Sequence, residues 1–252
     1  MYDTKPYMHG NGLRDGHPLA PGVQAFYPFW KDNSLINAAD YNNPGTLVNS
    51  PTWQDGPSGA VLDFDGSSQY VDTGVNLDGV DTFSLWLKIK PDWVAFDDYL
   101  VDTSDGATGF FMRHDSSTNI YVLCYRTGGP VGDAIVPSQD NEWVSLLLVM
   151  KNVGYALYRN GITVGESGGT SGTLVAASTT IKLAASFSGG QNHKSQIETC
   201  AIWKNKALTQ SDAQELDYDP WSLIRPREKT YIYERAGFVP SRYYYQLLGA
   251  TG

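Results

Sequence analysis

An all-β fold, an antiparallel two-sheet sandwich with one short helix and extended terminal arms, is what this sequence predicts, on three observations. Short apolar–polar alternations of period two recur along most of the chain, cut by clusters of Gly, Asn, Asp, Ser and Pro. The composition holds 16 Tyr and 7 Trp beside 26 Gly, with only 18% charged residues, a mixture that suits twisted strands and turns better than a helical bundle. One segment alone has helical character. With 41% hydrophobic residues in 252, there is enough apolar material for a sizeable core in one domain.

The first 22 residues are rich in Gly, Pro and His without periodicity, and predict an extended N-terminal arm, 1–22. Alternation begins at 24–30 and returns at 60–64, 69–73, 82–90, 99–102, 109–114 and 119–126. It continues at 143–151, 153–159, 162–166, 180–185 and 195–204. In 82–90, Phe83, Leu85, Leu87 and Ile89 share one face and Ser84, Trp86, Lys88 and Lys90 the other, which predicts a half-buried strand. The run 143–150 is apolar on both faces, as in a central strand covered on each side. Asn160-Gly161 joins two runs through residues that tolerate positive φ, predicting a type I′ hairpin. Asp65-Gly66 and Asp105-Gly106 are further turn signals, and 165–178, dense in Gly, Ser and Thr, predicts a loop at one end of the sandwich. Thr209 as cap and Asp212 at the third helical position predict a helix over 210–216, stopped by Asp219-Pro220. The sandwich is expected over 23–221. The remainder, 222–252, reads as a basic, Tyr-rich attachment arm carrying Arg225, Arg227, Lys229, Tyr231, Tyr233, Arg242, Tyr243, Tyr244 and Tyr245.

Net charge is −9, and an acidic surface repels phosphates, so nucleic acid is not an expected partner. The charge is uneven: from Trp221 onward five Arg or Lys meet two Glu, a local +3 that leaves −12 on the preceding 220 residues. A basic tail on an acidic body suits docking on another copy or another protein. Cys124 and Cys200 lie in apolar alternating runs, where a buried free thiol is ordinary; a disulfide needs the two strands to be neighbours. The N-terminal stretch has no apolar run of the signal-peptide kind and no stretch approaches a membrane span, so neither signal peptide nor membrane partner is expected and assembly is placed in the cytoplasm.

Several segments carry a family likeness in their order. Ala25-Phe26-Tyr27-Pro28-Phe29-Trp30 is followed by the loop Asn37-Ala38-Ala39-Asp40-Tyr41-Asn42-Asn43-Pro44-Gly45, by Pro51-Thr52-Trp53, and by Ala60-Val61-Leu62-Asp63-Phe64-Asp65-Gly66. Phe83-Ser84-Leu85-Trp86-Leu87-Lys88, Tyr158-Arg159-Asn160-Gly161, Ile197-Glu198-Thr199-Cys200-Ala201-Ile202-Trp203 and the helix from Ala207 to Ala213 come after. Together, over 24–220, they resemble the laminin-G-like family of the concanavalin A-like lectin/glucanase superfamily, which implies a jelly-roll sandwich. Tyr218-Asp219-Pro220-Trp221-Ser222-Leu223-Ile224-Arg225-Pro226 resembles an ending found on such domains of tailed bacteriophages and prophages, which implies a virion protein. A plainer role for Trp221 and Leu223 is to cover an open end of the sandwich.

Glucanases of this superfamily carry E-x-D-x-x-E along one strand, because glycoside hydrolysis needs one acid to protonate and a second to attack or activate water. That pattern is absent here. Asp63 and Asp65 share a strand face, but Asp65-Gly66 reads as a turn. H-E-x-x-H is missing, and His9, His17, His114 and His193 are scattered. No catalytic residue and no cofactor are assigned. Relatives often hold calcium, and the resemblance would place it at Asp40 and Glu198; Glu198 stands where the family usually has Asp, and Pro44 where it often has Gly. Sharing a strand face with Cys200 and Ile202, Glu198 is expected to point inward, with N–H groups of the Asp40 loop as its partners when no metal is bound. Of the indoles Trp30, Trp53, Trp86, Trp93, Trp143, Trp203 and Trp221, most fall in strands and read as core. Trp93, in the loop-like 91–98, is the candidate for sugar stacking, with a hydrophobic lid or a subunit contact as alternatives.

The expectation is a non-catalytic virion structural protein, a head decoration or other capsid-attached protein displaying its sandwich and anchored by its arms. Its expected partners are the major capsid or other virion proteins, and further copies of itself in a homo-oligomer. The alternative is a carbohydrate- or receptor-binding module of a tail or fibre, with a host surface glycan as ligand. A divergent glycosidase is disfavoured by the missing carboxylates.

Overall fold

Strands form where apolar and aromatic residues alternate, and each ends at a residue that cannot continue it. The computed structural model describes residues 12–14, 16–30, 35–92, 98–104, 108–116, 119–132, 136–137, 141–175, 179–186, 188 and 191–224. Along them lie β1 (Val23–Tyr27), β2 (Thr46–Val48), β3 (Thr52–Gly56), β4 (Gly59–Asp65), β5 (Tyr70–Asp72) and β6 (Phe83–Pro91). Then come β7 (Tyr99–Asp102), β8 (Phe110–Ser116), β9 (Asn119–Arg126), β10 (Gly129–Gly132) and β11 (Val136–Pro137). β12 (Val144–Met150), β13 (Val153–Arg159), β14 (Ile162–Ser171), β15 (Lys182–Leu183), β16 (Lys194–Lys204) and the helix α1 (Gln210–Tyr218) complete the order.

Pro28, which lacks an N–H, and Phe29, at φ 46°, end β1 before the expected limit at Trp30. Asn160 and Gly161 take φ of 48° and 72° and close the β13–β14 hairpin as the sequence predicts. The loop expected at 165–178 is instead strand as far as Ser171. β14 is an edge strand, so within the sheet its Gly and Ser residues need to pair with β13 alone. α1 opens with a reciprocal cap: Thr209 Oγ1 accepts the Asp212 N–H, and the Asp212 carboxylate accepts the Thr209 N–H at 2.7 Å. It runs two residues past the expected Leu216, to Tyr218.

Two antiparallel sheets result. The first has the order β14-β13-β12-β6-β16-β4-β3, the second β10-β9-β8-β7-β15-β5-β2 with β11 also on β9. β16 is the spine of the first sheet. β6 pairs with it along nearly its whole length, while its other edge is shared, β4 pairing with residues 194–197 and β1 with 200–203. Where the partner changes, Ile197 pairs with Ile89 and Thr199 with Lys88, leaving Glu198 as the extra residue of a bulge.

Between the sheets lies one core, including Leu62, Phe64, Leu85, Leu87, Phe110, Val122, Leu148 and Ile202. A second apolar layer covers the outside of the first sheet: Phe26, Trp86, Leu147, Val149, Ala156 and Trp203 meet Leu19, Leu208, Ala213, Leu216, Trp221 and Leu223. β12 is buried on both faces, as its sequence predicts. β6 differs from its expected half-burial. Ser84 and Trp86 are fully buried on its second face, where Ser84 Oγ donates to Lys206 O (2.8 Å) and accepts the Leu208 N–H (3.0 Å). Trp221 and Leu223 therefore close a sheet face, not an end of the sandwich. Residues 12–14 and 16–22, expected within the N-terminal arm, lie against the same face. Trp203 Nε1–H donates to Leu19 O (2.7 Å), Lys206 Nζ to Pro18 O (2.7 Å), and the Arg14 N–H to Leu223 O (2.6 Å).

Candidate functional site

Tyr99, Arg113 and Tyr121 stand directly opposite one another across β7, β8 and β9, so their side chains leave the same face of the second sheet. That face is the outer one. In β9, Ile120, Val122 and Cys124 enter the inter-sheet core, while Tyr121, Leu123 and Tyr125 alternate with them and remain half-buried. Phe111, two residues before Arg113, joins the same row. The Arg113 guanidinium carbon lies 5.4 Å from the centre of the Phe111 ring, 5.5 Å from Tyr121 and 6.0 Å from Tyr99. The rings themselves pack at 5.3 Å (Tyr99–Phe111, edge to face) and 5.8 Å (Phe111–Tyr121). Each cation–ring contact of this kind contributes about 0.5–1 kcal/mol. Farther along the face, Lys182 Nζ lies 5.3 Å from the centre of the Tyr70 ring. Lys182 stands in register between Asp72 and Asp102, whereas the cross-strand neighbours of Arg113 are rings. Half-exposed rings fixed around a cation form a surface that stacks on apolar ligand faces and hydrogen-bonds at its edges.

Sequence reasoning weighed the indoles and passed over this row. Part of its signal was visible: both faces of 119–126 are apolar or aromatic, which requires either a second cover or a display surface. The assembly of Tyr99, Phe111, Arg113 and Tyr121 depends on register across three strands, and no local pattern encodes that.

The first sheet carries a smaller, polar cleft beyond its covered area, lined by Asp63, Lys90, Asp92, Asn141, Lys194 and Gln196. Lys194 Nζ lies 2.7 Å from Asp92 Oδ2, a hydrogen bond that raises the lysine pKa. Trp93 lies outside the described residues; Asp92, which precedes it, lines this cleft. Asp63 is in the cleft, but Asp65 is turned to local work. Its Oδ1 accepts the Ser67 N–H at 2.8 Å, and that backbone hydrogen bond holds its carboxyl below the usual range, the opposite of what a general acid needs. His193 is fully buried, and burial first, then His114, lowers its pKa to about 3. Cys124 and Cys200 are free, buried and in different sheets; burial pushes Cys124 up to about 12 and raises Cys200 as well, which makes both poor nucleophiles.

The donors proposed for calcium do not fit a hard cation. Asp40 Oδ1 accepts the Asn42 N–H (3.0 Å) and its Oδ2 accepts from the Asn43 amide, so both oxygens close their own loop. Glu198 is buried, and its Oε1 accepts the Ser58 N–H (2.9 Å) at the β3–β4 turn, not an N–H of the Asp40 loop. The bulge also breaks the face-sharing expected for Glu198: Ile197 and Cys200, three residues apart, both enter the inter-sheet core. Among the described residues no three His, Cys, Asp or Glu side chains gather as a metal would require. The attachment-arm residues Arg225, Arg227, Lys229, Tyr231, Tyr233, Arg242, Tyr243, Tyr244 and Tyr245 all lie outside the described residues, as does the Asp105-Gly106 turn. No helix among the described residues is long and apolar enough to cross a membrane.

The architecture has many likenesses among solved structures. Domain 4 of AbnA, a GH43 extracellular arabinanase from Geobacillus stearothermophilus solved with arabinotriose, matches with a TM-score of 0.62 at 17% identity, over 77% of this chain and 98% of that one. The binding domain of Paraclostridial Mosquitocidal Protein 1 matches with a TM-score of 0.64 at 14% identity, over 79% of this chain but 52% of that one, so the chain spans about half its length. Trypanosoma rangeli sialidase matches with a TM-score of 0.55 at 12% identity, over 78% of this chain and 32% of that one. At these identities the likeness is one of fold. No curated protein matches the chain by sequence. A family model does, over residues 65–214, and by that match the chain belongs to the laminin-G-like family of the concanavalin A-like lectin/glucanases superfamily.

Proposed function

We propose that this chain is a non-catalytic carbohydrate- or receptor-binding module of a phage particle, binding through the outer face of the second sheet and attached by its two ends. The observation that carries the reading is that the described ends of the chain lie outside the first sheet, while the ring row lies outside the second. The Arg14–Leu223 backbone hydrogen bond sets the N-terminal segment beside the last described turn, both against the outside of the first sheet. The ring row around Arg113 is on the far side. A module tethered by segments 1–11 and 225–252 then presents its rings away from the anchor. The likeness to domain 4 of the arabinanase, solved with arabinotriose, and to a toxin binding domain supports a binding role, and the missing acid pair speaks against hydrolysis.

Glycan-array and host-cell binding by the full chain, beside Tyr121→Ala, tests the reading. Wild type is expected to bind, with at least a tenfold loss in the variant. A second reading, a capsid decoration protein whose sandwich is only displayed, is favoured by the phage-like ending and by the +3 tail on an acidic body. Binding to purified particles that depends on 225–252, with no glycan or cell binding, would select it. Trp93, which follows the cleft residue Asp92 in the sequence, stays a candidate for a further sugar contact.

A further inference from the structure

Beyond the ring row and independent of it, we infer that the polar cleft of the first sheet is a second binding site, which takes an uncharged sugar by its neighbouring hydroxyl groups. Asp63, Gln196 and Lys90 stand directly opposite one another across β4, β16 and β6, so their side chains leave one face of the sheet. It is the outer face, because Leu62, Phe64, Ile89 and Ile197, which alternate with them, enter the inter-sheet core. The cover over this sheet stops one step short. Lys88 Nζ meets Asp217 of α1 at 3.4 Å, while Lys90, the next residue on that face, lines the cleft. Trp203, over which the described ends of the chain lie, is at the other end of β16 from Gln196, roughly 20 Å along the strand.

The cleft selects by charge. Lys194 Nζ is 2.7 Å from Asp92 Oδ2, and with Lys90 and Asp63 the lining holds two cations and two carboxylates, a formal sum of zero. An anion entering it meets Asp63 and Asp92; a cation meets Lys90 and Lys194. Among the described residues the side chains of Lys90, Gln196 and Asn141 form no hydrogen bond or ion pair, and the Asp63 carboxylate accepts from Thr52 Oγ1 at 3.5 Å. Lys90 therefore offers donors, Asp63 acceptors, and the two amides both. A sugar hydroxyl also donates and accepts, so adjacent hydroxyls on one ring satisfy Asp63, Gln196 and Lys90 together. No aromatic ring lines the cleft among the described residues, and hydrogen bonds to a sugar replace hydrogen bonds to water, so affinity is expected on the order of millimolar.

The full chain, labelled with nitrogen-15, is titrated with the methyl glycosides of galactose, glucose and mannose while the side-chain amide signals of Gln196 and Asn141 are followed by NMR. Each glycoside is run beside its uronic acid and its 6-amino-6-deoxy counterpart, which differ from it only at carbon 6. At least one neutral glycoside is expected to move both signals, and to bind about threefold or more tighter than its two charged counterparts, the size of effect that exposed charges exert. Asp63→Asn is expected to weaken the neutral sugar about tenfold, by loss of a charged acceptor, and to make the uronic acid the best ligand of its set, because the cleft then carries a net positive charge. Equal affinity within every set, or tightest binding of a charged member by wild type, overturns the inference. So does sugar binding that leaves the Gln196 and Asn141 signals unmoved, and so does the absence of any binding. These wild-type comparisons need no variant, so a folding defect in Asp63→Asn does not obscure them. The same titration of Tyr121→Ala keeps the two sites apart: shifts equal to those of wild type place the sugar in the cleft whether or not the ring row binds, and their loss overturns the cleft as a separate site.

Discussion

On the outside of the first sheet, Trp86 and Trp203 are wholly buried; on the outside of the second, Tyr99, Arg113 and Tyr121 are half-exposed. Both sets are large aromatic or amphipathic side chains at alternate positions of central strands. The difference lies in what the rest of the chain does. Residues 13–14 and 16–23, α1 and Trp221–Ile224 bring Leu19, Leu208, Leu216 and Trp221 down over the first sheet, and nothing comparable among the described residues covers the second. Aromatic residues under a cover contribute stability, and the same residues without one form a surface for a partner.

The largest effect expected from that contrast is on stability. Trp203→Ala opens a cavity in the covered layer and removes the donor to Leu19 O; losses for buried Trp or Phe to Ala are about 3–5 kcal/mol. Tyr121→Ala, from the open face, is expected to change stability by about 1 kcal/mol or less while abolishing ligand binding. Urea denaturation of both variants measures the difference. Similar losses from the two would mean that the second sheet is covered as well, and that its rings are structural.

Acid should weaken the molecule next, through two buried histidines. His17 fastens the covering segment to the helix: its Nδ1 accepts the Leu19 N–H (3.1 Å) and its Nε2 faces Glu215 Oε1 at 3.1 Å, a pattern the neutral Nε2–H tautomer satisfies completely. Burial, as the largest influence, lowers its pKa, and lowers that of His193 to about 3. In the unfolded chain both titrate near 6.5. The folded state therefore binds fewer protons below that value. The stability due to neutral burial is complete above about pH 6.5 and is lost as the pH drops, for His193 by about 1.4 kcal/mol per pH unit down to about 3. Urea midpoints at pH 7.5, 6 and 5 are expected to decline, with a shallower decline in His193→Phe. Midpoints independent of pH would show that the histidines are solvated.

Local chemistry was legible in the sequence, and packing between distant segments was not. The Asn160-Gly161 turn, the Thr209–Asp212 cap and the two-faced burial of 144–150 follow from residues within a few positions of one another. The cover on Trp86 does not, because Leu19 and Trp221 are each more than 60 positions away and the N-terminal segment has no period to announce it. Glu198 is buried as expected, but its partner, the Ser58 N–H, was not legible, for a third reason. Alternation assigned it to the inner face, but β16 changes partner there, and a bulge shifts the phase. Tyr99, Arg113 and Tyr121 form no motif until three strands are in register.

The smallest effect expected is none, and it bears on the seam between covered and open parts of the first sheet. At Glu198, β4 gives way to β1, and a carboxylate buried at such a gap requires either a cation or a hydrogen-bond donor. The Ser58 N–H at 2.9 Å is a donor already in place. Asp40, the other acid the family likeness proposes, spends its oxygens on Asn42 and Asn43. The melting temperature is therefore expected to be the same in EGTA and in millimolar calcium. Glu198→Gln, which keeps an oxygen acceptor for Ser58, should cost less than Glu198→Ala, which strands a buried N–H at about 1–3 kcal/mol. If calcium instead raises the melting temperature by several degrees, and Glu198→Gln removes that rise, the seam is closed by a cation and Ser58 is only its neighbour.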